Sequence, residues 1–189
     1  SEIAEVLKGS PLTISAFKDQ IASSATPYQI LTSSNIEDGI IDYESLPYIG
    51  DGKKYEKFFA KKGDIIMTTK STKVKFAVIN EEPSTSVIVT GGIIIIRPNT
   101  DLIDGTYLKM FFDSAKGKAV LASIQKGAII TTIPFNDFKN LKFPCPCIED
   151  QKAVSKKYNN LLAVYDGMKK EVEDMERRLA NFYEDSLGD

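Results

Sequence analysis

The sequence contains no histidine and only 2 cysteines, Cys145 and Cys147, among its 189 residues. Without histidine there is no Ser-His-Asp triad, no Cys-His pair and no imidazole acid–base residue. Two cysteines a single proline apart argue against a disulfide framework. The pair Cys145-Pro146-Cys147 could supply half of a zinc site, but a closed site needs four ligands and no further Cys or His exists. No metal is therefore expected, and the bland reading is two thiols on a proline-stiffened connector. Also missing are a G-x-G-x-x-G turn and a G-x-x-x-x-G-K-[ST] phosphate loop. No stretch approaches the roughly 18–20 consecutive apolar residues of a membrane span, and the apolar run Gly91 to Ile96 reads as a buried strand. The start carries no signal-peptide pattern, so a cytoplasmic address is the expectation. Catalysis by this chain would have to rest on carboxylates or lysines alone, and no spacing singles such a pair out.

Present instead is enough apolar material for a core: 42% hydrophobic against 26% charged residues,. The length fits one domain with an appendage, or two small domains. The net charge of −2 conceals a segregation: residues 1–50 hold 2 lysines against 7 acids, whereas residues 51–75 hold 8 lysines against 3 acids. A basic block on a near-neutral chain is a candidate footprint for a polyanion, the alternative being lysines that are merely solvated.

Up to about residue 150 the signals are short and mixed. YQILT (28–32), GDIIMTT (63–69), KFAVIN (75–80), SVIVT (86–90) and GIIIIR (92–97) are β-branched runs bounded by turn residues,. NIEDGIIDY places Asp38-Gly39 between apolar residues, a hairpin signal. Residues 104–124 predict two helical stretches, with Gly117 as the break. FNDFKNLKFP predicts a short helix and then a strand ending at Pro144. The expectation is an α+β globule over 1–147 built on a curved, mostly antiparallel sheet.

From residue 148 the pattern changes. Val154, Tyr158, Leu161, Tyr165, Met168, Val172, Met175, Leu179 and Phe182 alternate spacings of four and three, an a/d seam sustained over four heptads,. A helix over 150–187 would be about 55–60 Å long, too long to bury its stripe on one small globule, so the seam calls for a partner helix. PCPCIEDQ then stops the globule and launches the helix, Glu149 and Asp150 suiting its N-terminus.

A globule of this size, then the connector PCPCIEDQ, then a long heptad helix, resembles the specificity subunits of type I restriction–modification systems. IAEVLKGSP (3–11) resembles the opening of a target recognition domain, and YQILTSSNIEDGIID (28–42) its tyrosine and "sn-I-x-x-G-x-I" segment. KKGDIIMTTKST (61–72) resembles the "G-D-I-L" strand with its polar loop. The run from Tyr107-Leu108 to Glu149-Asp150-Gln151 resembles the stretch from the "Y-L" helix to the "l-P-x-P-x-x-E-Q" connector. One departure is Asp150 between Glu149 and Gln151, where many members have Glu directly before Gln. A second is length. Members carry two recognition domains and two long helices packed antiparallel, and this chain resembles one half: a half-subunit, a fragment, or the tail of a fused methyltransferase.

The resemblance implies recognition of double-stranded DNA for an adenine-N6 methyltransferase subunit or domain. Catalysis and S-adenosylmethionine would lie on that partner, leaving this chain without a cofactor, and the long helix would pair with an equivalent one. The rival reading is a coiled-coil protein-interaction module that does not bind DNA. Candidate DNA-contacting residues are Lys53, Lys54, Lys61, Lys62, Lys70, Lys73 and Lys75 for phosphates, and Thr68, Thr69, Ser71 and Thr72 interleaved with them for base edges. Lys126, Thr131 and Thr132 around Gly127 form a second candidate loop, and Tyr55 could stack at the interface. The alternative for Thr68 to Lys73 is a polar hairpin turn.

Overall fold

The computed structural model describes residues 3–11, 15, 18–37, 39–71, 73–127 and 130–187. In chain order these form β1 (Ala4–Lys8), β2 (Tyr28–Leu31), β3 (Ile36–Glu37), β4 (Ile40–Ile41), β5 (Ile65–Thr68), β6 (Lys70–Ser71), β7 (Phe76–Val78), β8 (Ser86–Val89) and β9 (Ile93–Pro98). Helices α1 (Gly105–Asp113) and α2 (Ala115–Ile124), strand β10 (Thr131–Thr132), and helices α3 (Phe135–Lys139) and α4 (Ile148–Leu187) follow.

Successive side chains of a strand point to opposite faces, so four consecutive isoleucines need cover on both sides. β9 obtains it at the centre of an antiparallel sheet of order β1-β9-β5-β7. Ile94 and Ile96, with Ile65, Met67 and Phe76, pack against Leu108, Phe111, Phe112, Leu121 and Phe138 of the helices. Ile93 and Ile95, with Ile66 and Ala77, pack against Leu31, Val87 and Val89 of a second layer. That layer is β2 paired parallel to β8, and its outer residues Ile30 and Ile88 close a third cluster with Ile49 and Tyr55. The five β-branched runs all form strands, and the fold is the α+β, mostly antiparallel architecture expected, with one parallel pair that no local pattern announces.

β3 and β4 make the predicted hairpin, with Gly39 at φ 83°; Asp38 lies outside the described residues. The break between α1 and α2 falls at Ser114, not Gly117. The Ser114 hydroxyl accepts the Gly117 amide at 3.1 Å and caps α2,. Gly117 sits so close to the end of α1 that a Cβ would lie 1.9 Å from the Phe111 carbonyl oxygen. The strand expected before Pro144 does not form either. Residues 141–147 cross α1 as an irregular strap, with the Phe143 ring 5.3 Å from Phe111 and 6.2 Å from Tyr107. Pro144 and Pro146 have no N–H to give a ladder.

The Gly63-Asp64 step before β5 is structural. The Asp64 carboxylate is buried and receives Arg97 Nε and Nη2, each at 2.8 Å, together with the Lys61 amide at 2.8 Å. The hydrogen bond to Asp64 outweighs the cost of burial and raises the pKa of Arg97. The fork ties the end of β9 to the start of β5.

α4 begins at Ile148, with Glu149 and Asp150 in its first turn, and its 40 residues span about 60 Å,. Gln151 and Ser155 are buried on the globule and Tyr158 is half-buried. The other eight seam residues are 41–68% exposed, from Val154 to Leu179 and Phe182. Both cysteines are exposed thiols, and among the described residues no cluster of His, Cys, Asp or Glu is arranged to hold a metal ion. No helix among them is long and apolar enough to cross a membrane.

Replacing Arg97 by Leu leaves the Asp64 carboxylate buried without its cation, which costs about 3–5 kcal/mol. Denaturant unfolding should register a loss of that size. Arg97→Lys, a point charge that cannot form the fork, should recover only part of it.

Candidate nucleic-acid interface

The polar segment after β5 and the segment around Gly127 are some sixty residues apart in the sequence. In the fold they are neighbours. β6 pairs antiparallel with β10, Lys70 opposite Thr132 and Ser71 opposite Thr131. The Ile133 amide extends the ribbon to the Thr69 carbonyl at 2.9 Å. On the other side of β10, Lys126 and Thr132 exchange both backbone hydrogen bonds, at 2.8 and 2.9 Å. Gly127 makes the return possible: its φ is 105°, and a Cβ there would lie 2.5 Å from the Ile130 carbonyl oxygen,.

The ribbon therefore carries Lys70, Thr131 and Thr132, with Lys126 and Lys73 at its margins. Lys70, Lys73 and Lys126 are exposed; Thr131 and Thr132 are half-buried. Lys126 pairs with Asp137 at 3.2 Å, and the Thr69 hydroxyl donates to the Gly92 carbonyl at 2.8 Å. Beside the ribbon lies a cleft of about 690 Å³ between the β3–β4 hairpin, the approach to β7, and helices α1 and α2. Lys73, Lys75, Lys109 and Lys118 line it with Gln125, against the acids Glu37 and Asp113. Lys109 bonds Asp113 at 2.6 Å. Lys109, Lys118 and Gln125 are not singled out by the sequence: the two lysines lie on helices and Gln125 just past the end of α2, and only the tertiary fold aligns them with Lys73.

Several candidates belong to the scaffold instead. Tyr55 is 9% exposed and packs with Ile30, Ile49 and Ile88, so it is a core residue and not a stacking platform. The 3₁₀ segment Lys53–Phe58 turns its tyrosine inward and leaves Lys53 and Lys54 in solvent. Thr68 is wholly buried, its hydroxyl accepting the Lys75 amide at 2.9 Å to close the loop between β5 and β7. Lys75 donates its ammonium to the Ile36 carbonyl at 2.7 Å and the Ser33 carbonyl at 3.5 Å, tying down the neighbouring hairpin. Thr72 lies outside the described residues.

The basic block is also divided. Lys61 and Lys62 precede β5 while Lys70 and Lys73 follow it, and from Asp64 to Thr69 an extended chain covers about 16 Å. At the first end the Lys62 amide binds the Glu82 carboxylate at 3.1 Å, and Asp64 and Glu5 surround Arg97. Lysines adjacent in sequence thus face different surroundings: Lys61 lines a smaller hollow of about 300 Å³ with Glu82, Ser84, Thr85 and Ser86, whereas Lys73 lines the larger cleft beside the ribbon with three further lysines.

Gly127→Ala should strain the return turn. Hydrogen exchange is expected to accelerate at the Lys126 and Thr132 amides, with a stability loss of about 1–3 kcal/mol, while amides of β5 and β9 exchange as before.

No family model matches the chain. Over 162 residues it is 29% identical to the MjaX type I restriction enzyme specificity subunit of Methanocaldococcus jannaschii, covering 82% of this chain and 36% of that protein. Over 161 residues it is 23% identical to the EcoBI specificity subunit of Escherichia coli, covering 84% and 34%. Among solved structures it superposes with a TM-score of 0.71 and 13% identity on a chain from a study of complex assembly in the type I R-M system, over 96% of this chain and 41% of that one. The HsdS subunit from Thermoanaerobacter tengcongensis gives a TM-score of 0.63 at 14% identity, over 96% and 40%. The chain spans about a third of the length of the curated relatives it matches. In sequence over most of its residues the chain is similar to a segment of the type I restriction enzyme specificity subunits, and in fold over nearly all of them to the HsdS subunit.

Proposed function

We propose that this chain is the DNA-recognition half of a type I specificity subunit, with the β6–β10 ribbon and its cleft as the face that meets the duplex. The observation that carries the reading is the joining of two distant lysine- and hydroxyl-bearing segments into one two-stranded ribbon. A two-stranded ribbon has the dimensions to enter a major groove. Lysine ammoniums at its margins suit phosphates, which supply salt-dependent affinity and register. Threonine hydroxyls and the Gln125 amide suit base edges, glutamine being a bidentate partner for adenine.

In this reading α4 is the arm. Its exposed seam pairs with an equivalent helix and presents the globule to a methyltransferase subunit, where S-adenosylmethionine and the chemistry reside. Antiparallel pairing would place two globules at opposite ends of a rod, so the DNA target would be bipartite with an unread gap. A protein-interaction module without DNA binding would account equally for the seam, but it gives no role to the ribbon or to the lysines of the cleft.

Two measurements test this. Lys70→Glu with Lys73→Glu should weaken binding to a 30-base-pair duplex at least tenfold and lower the slope of log affinity against log salt by about 2. Lys61→Glu with Lys62→Glu, at the other end of β5, should change it by less than threefold. Equal effects of the two pairs would remove the ribbon from the interface. Light scattering should show a concentration-dependent dimer, and Leu161→Asp with Val172→Asp should halve its mass without loss of the globule's near-ultraviolet signal.

A further inference from the structure

The side chains that α4 buries fully are polar, Gln151 and Ser155, while the apolar Ile148, Tyr158 and Leu162 near them are only half-buried. Gln151 is 0% exposed and Ser155 is buried beside it, one helical turn further on,. The Gln151 amide nitrogen donates to the carbonyls of Pro146 at 2.8 Å and Leu102 at 3.1 Å, and lies 3.5 Å from Cys145 Sγ. Its oxygen accepts the Asp104 amide at 2.9 Å. The Ser155 hydroxyl and the Tyr107 amide both bond Asp104 Oδ1, at 2.5 and 2.8 Å. One carboxylate oxygen therefore caps α1 and grips the second turn of α4.

Past Tyr158, only Leu162 and Asp174 of the side chains described on α4 are even half-buried, and the fully buried ones, Gln151 and Ser155, lie in the first two turns at the root of the arm. The arm beyond Ser155 is about 48 Å long. Apolar contacts are non-directional and allow a helix to rock and rotate, whereas hydrogen bonds weaken steeply off axis. A rocking of about 10° at the anchor would sweep the far end by roughly 8 Å, more than two base-pair steps of about 3.4 Å.

We infer that Gln151, acting with Asp104 and Ser155, is a positioning device that fixes the angle and rotation of α4 on the globule. It thereby sets the distance and phase between this globule's DNA face and whatever the far end of the helix holds. The consequence for DNA rests on the recognition role proposed above; the device itself does not.

The test is a distance measurement without DNA. In the full chain with Cys145→Ser and Cys147→Ser, nitroxides at Ala119→Cys on α2 and Lys170→Cys on α4 are read by pulsed electron paramagnetic resonance. Labelled protein is diluted with unlabelled chain so that only intramolecular pairs contribute. The expected parent distribution is narrow. Gln151→Leu, which removes every bond, and Gln151→Glu, which keeps the acceptor but loses the donors, should each at least double its width. Asp104→Asn retains an oxygen for Ser155 and Tyr107 and should stay narrow, whereas Asp104→Ala should broaden. Far-ultraviolet circular dichroism on each variant separates a loosened arm from an unfolded chain. Should Gln151→Leu unfold, the Gln151→Glu, Asp104→Asn and Asp104→Ala series decides. A width unchanged in folded Gln151→Glu and Asp104→Ala would overturn the inference. Because no DNA is present, failure here leaves the ribbon assignment standing, and failure of duplex binding leaves the anchor standing.

Discussion

A strand that is apolar on both faces can be buried only between two layers, and Ile93 to Ile96 impose that condition on the rest of this chain. Ile94 and Ile96 call for the helical layer; Ile93 and Ile95 call for the β2–β8 layer. With β9 in the middle, β1 and β5 must flank it, and the ends of those strands become the places where loops can carry polar groups. The ribbon grows from one such end, where Thr69 receives the Ile133 amide immediately after β5. The candidate interface is thus a consequence of where the core strands stop.

Two carboxylates, Asp64 buried and Asp104 half-buried, then fix what the apolar core leaves adjustable. Asp64, held by the Arg97 fork, ties β9 to the start of β5 and so governs register at the end away from the ribbon. Asp104 caps α1 and receives α4 through Ser155 and Gln151. Hydrophobic burial supplies most of the driving force for such a fold but little direction; the charged and amide groups supply direction. They sit where a rotation would matter most, at a β-strand terminus and at the root of a long helix.

Local patterns were legible wherever one short segment carries the whole signal. The β-branched runs became strands, Gly39 a hairpin turn, and the four-three spacing from Val154 to Phe182 a continuous helix whose apolar stripe the globule leaves largely uncovered. Where neighbours outvoted the local signal, the reading went astray. Gly117 looks like a helix break but serves a close approach to Phe111, while Ser114 makes the break. Tyr55 and Thr68 look like exposed polar residues among lysines and are drawn into the core. Lys75 looks like a phosphate ligand and is occupied by backbone carbonyls of the hairpin.

By itself, then, the sequence determined the class of elements, the division into a globule and a long arm, and the absence of histidine chemistry, because propensity, periodicity and composition act within a few residues. Only the tertiary structure decided which lysines share a surface. Charges counted along a chain take no account of a strand that carries them to opposite ends of a sheet, so the block of residues 51–75 split at β5. Nor does a count along the chain register a ladder between residues far apart, and it was the Lys70–Thr132 pairing that gathered the two polar loops into one face. The anchoring of α4 by Gln151 and Ser155 likewise depended on the Leu102 carbonyl and on the amide and carboxylate of Asp104, some fifty residues earlier, brought within 3.1 Å by the packing of α1.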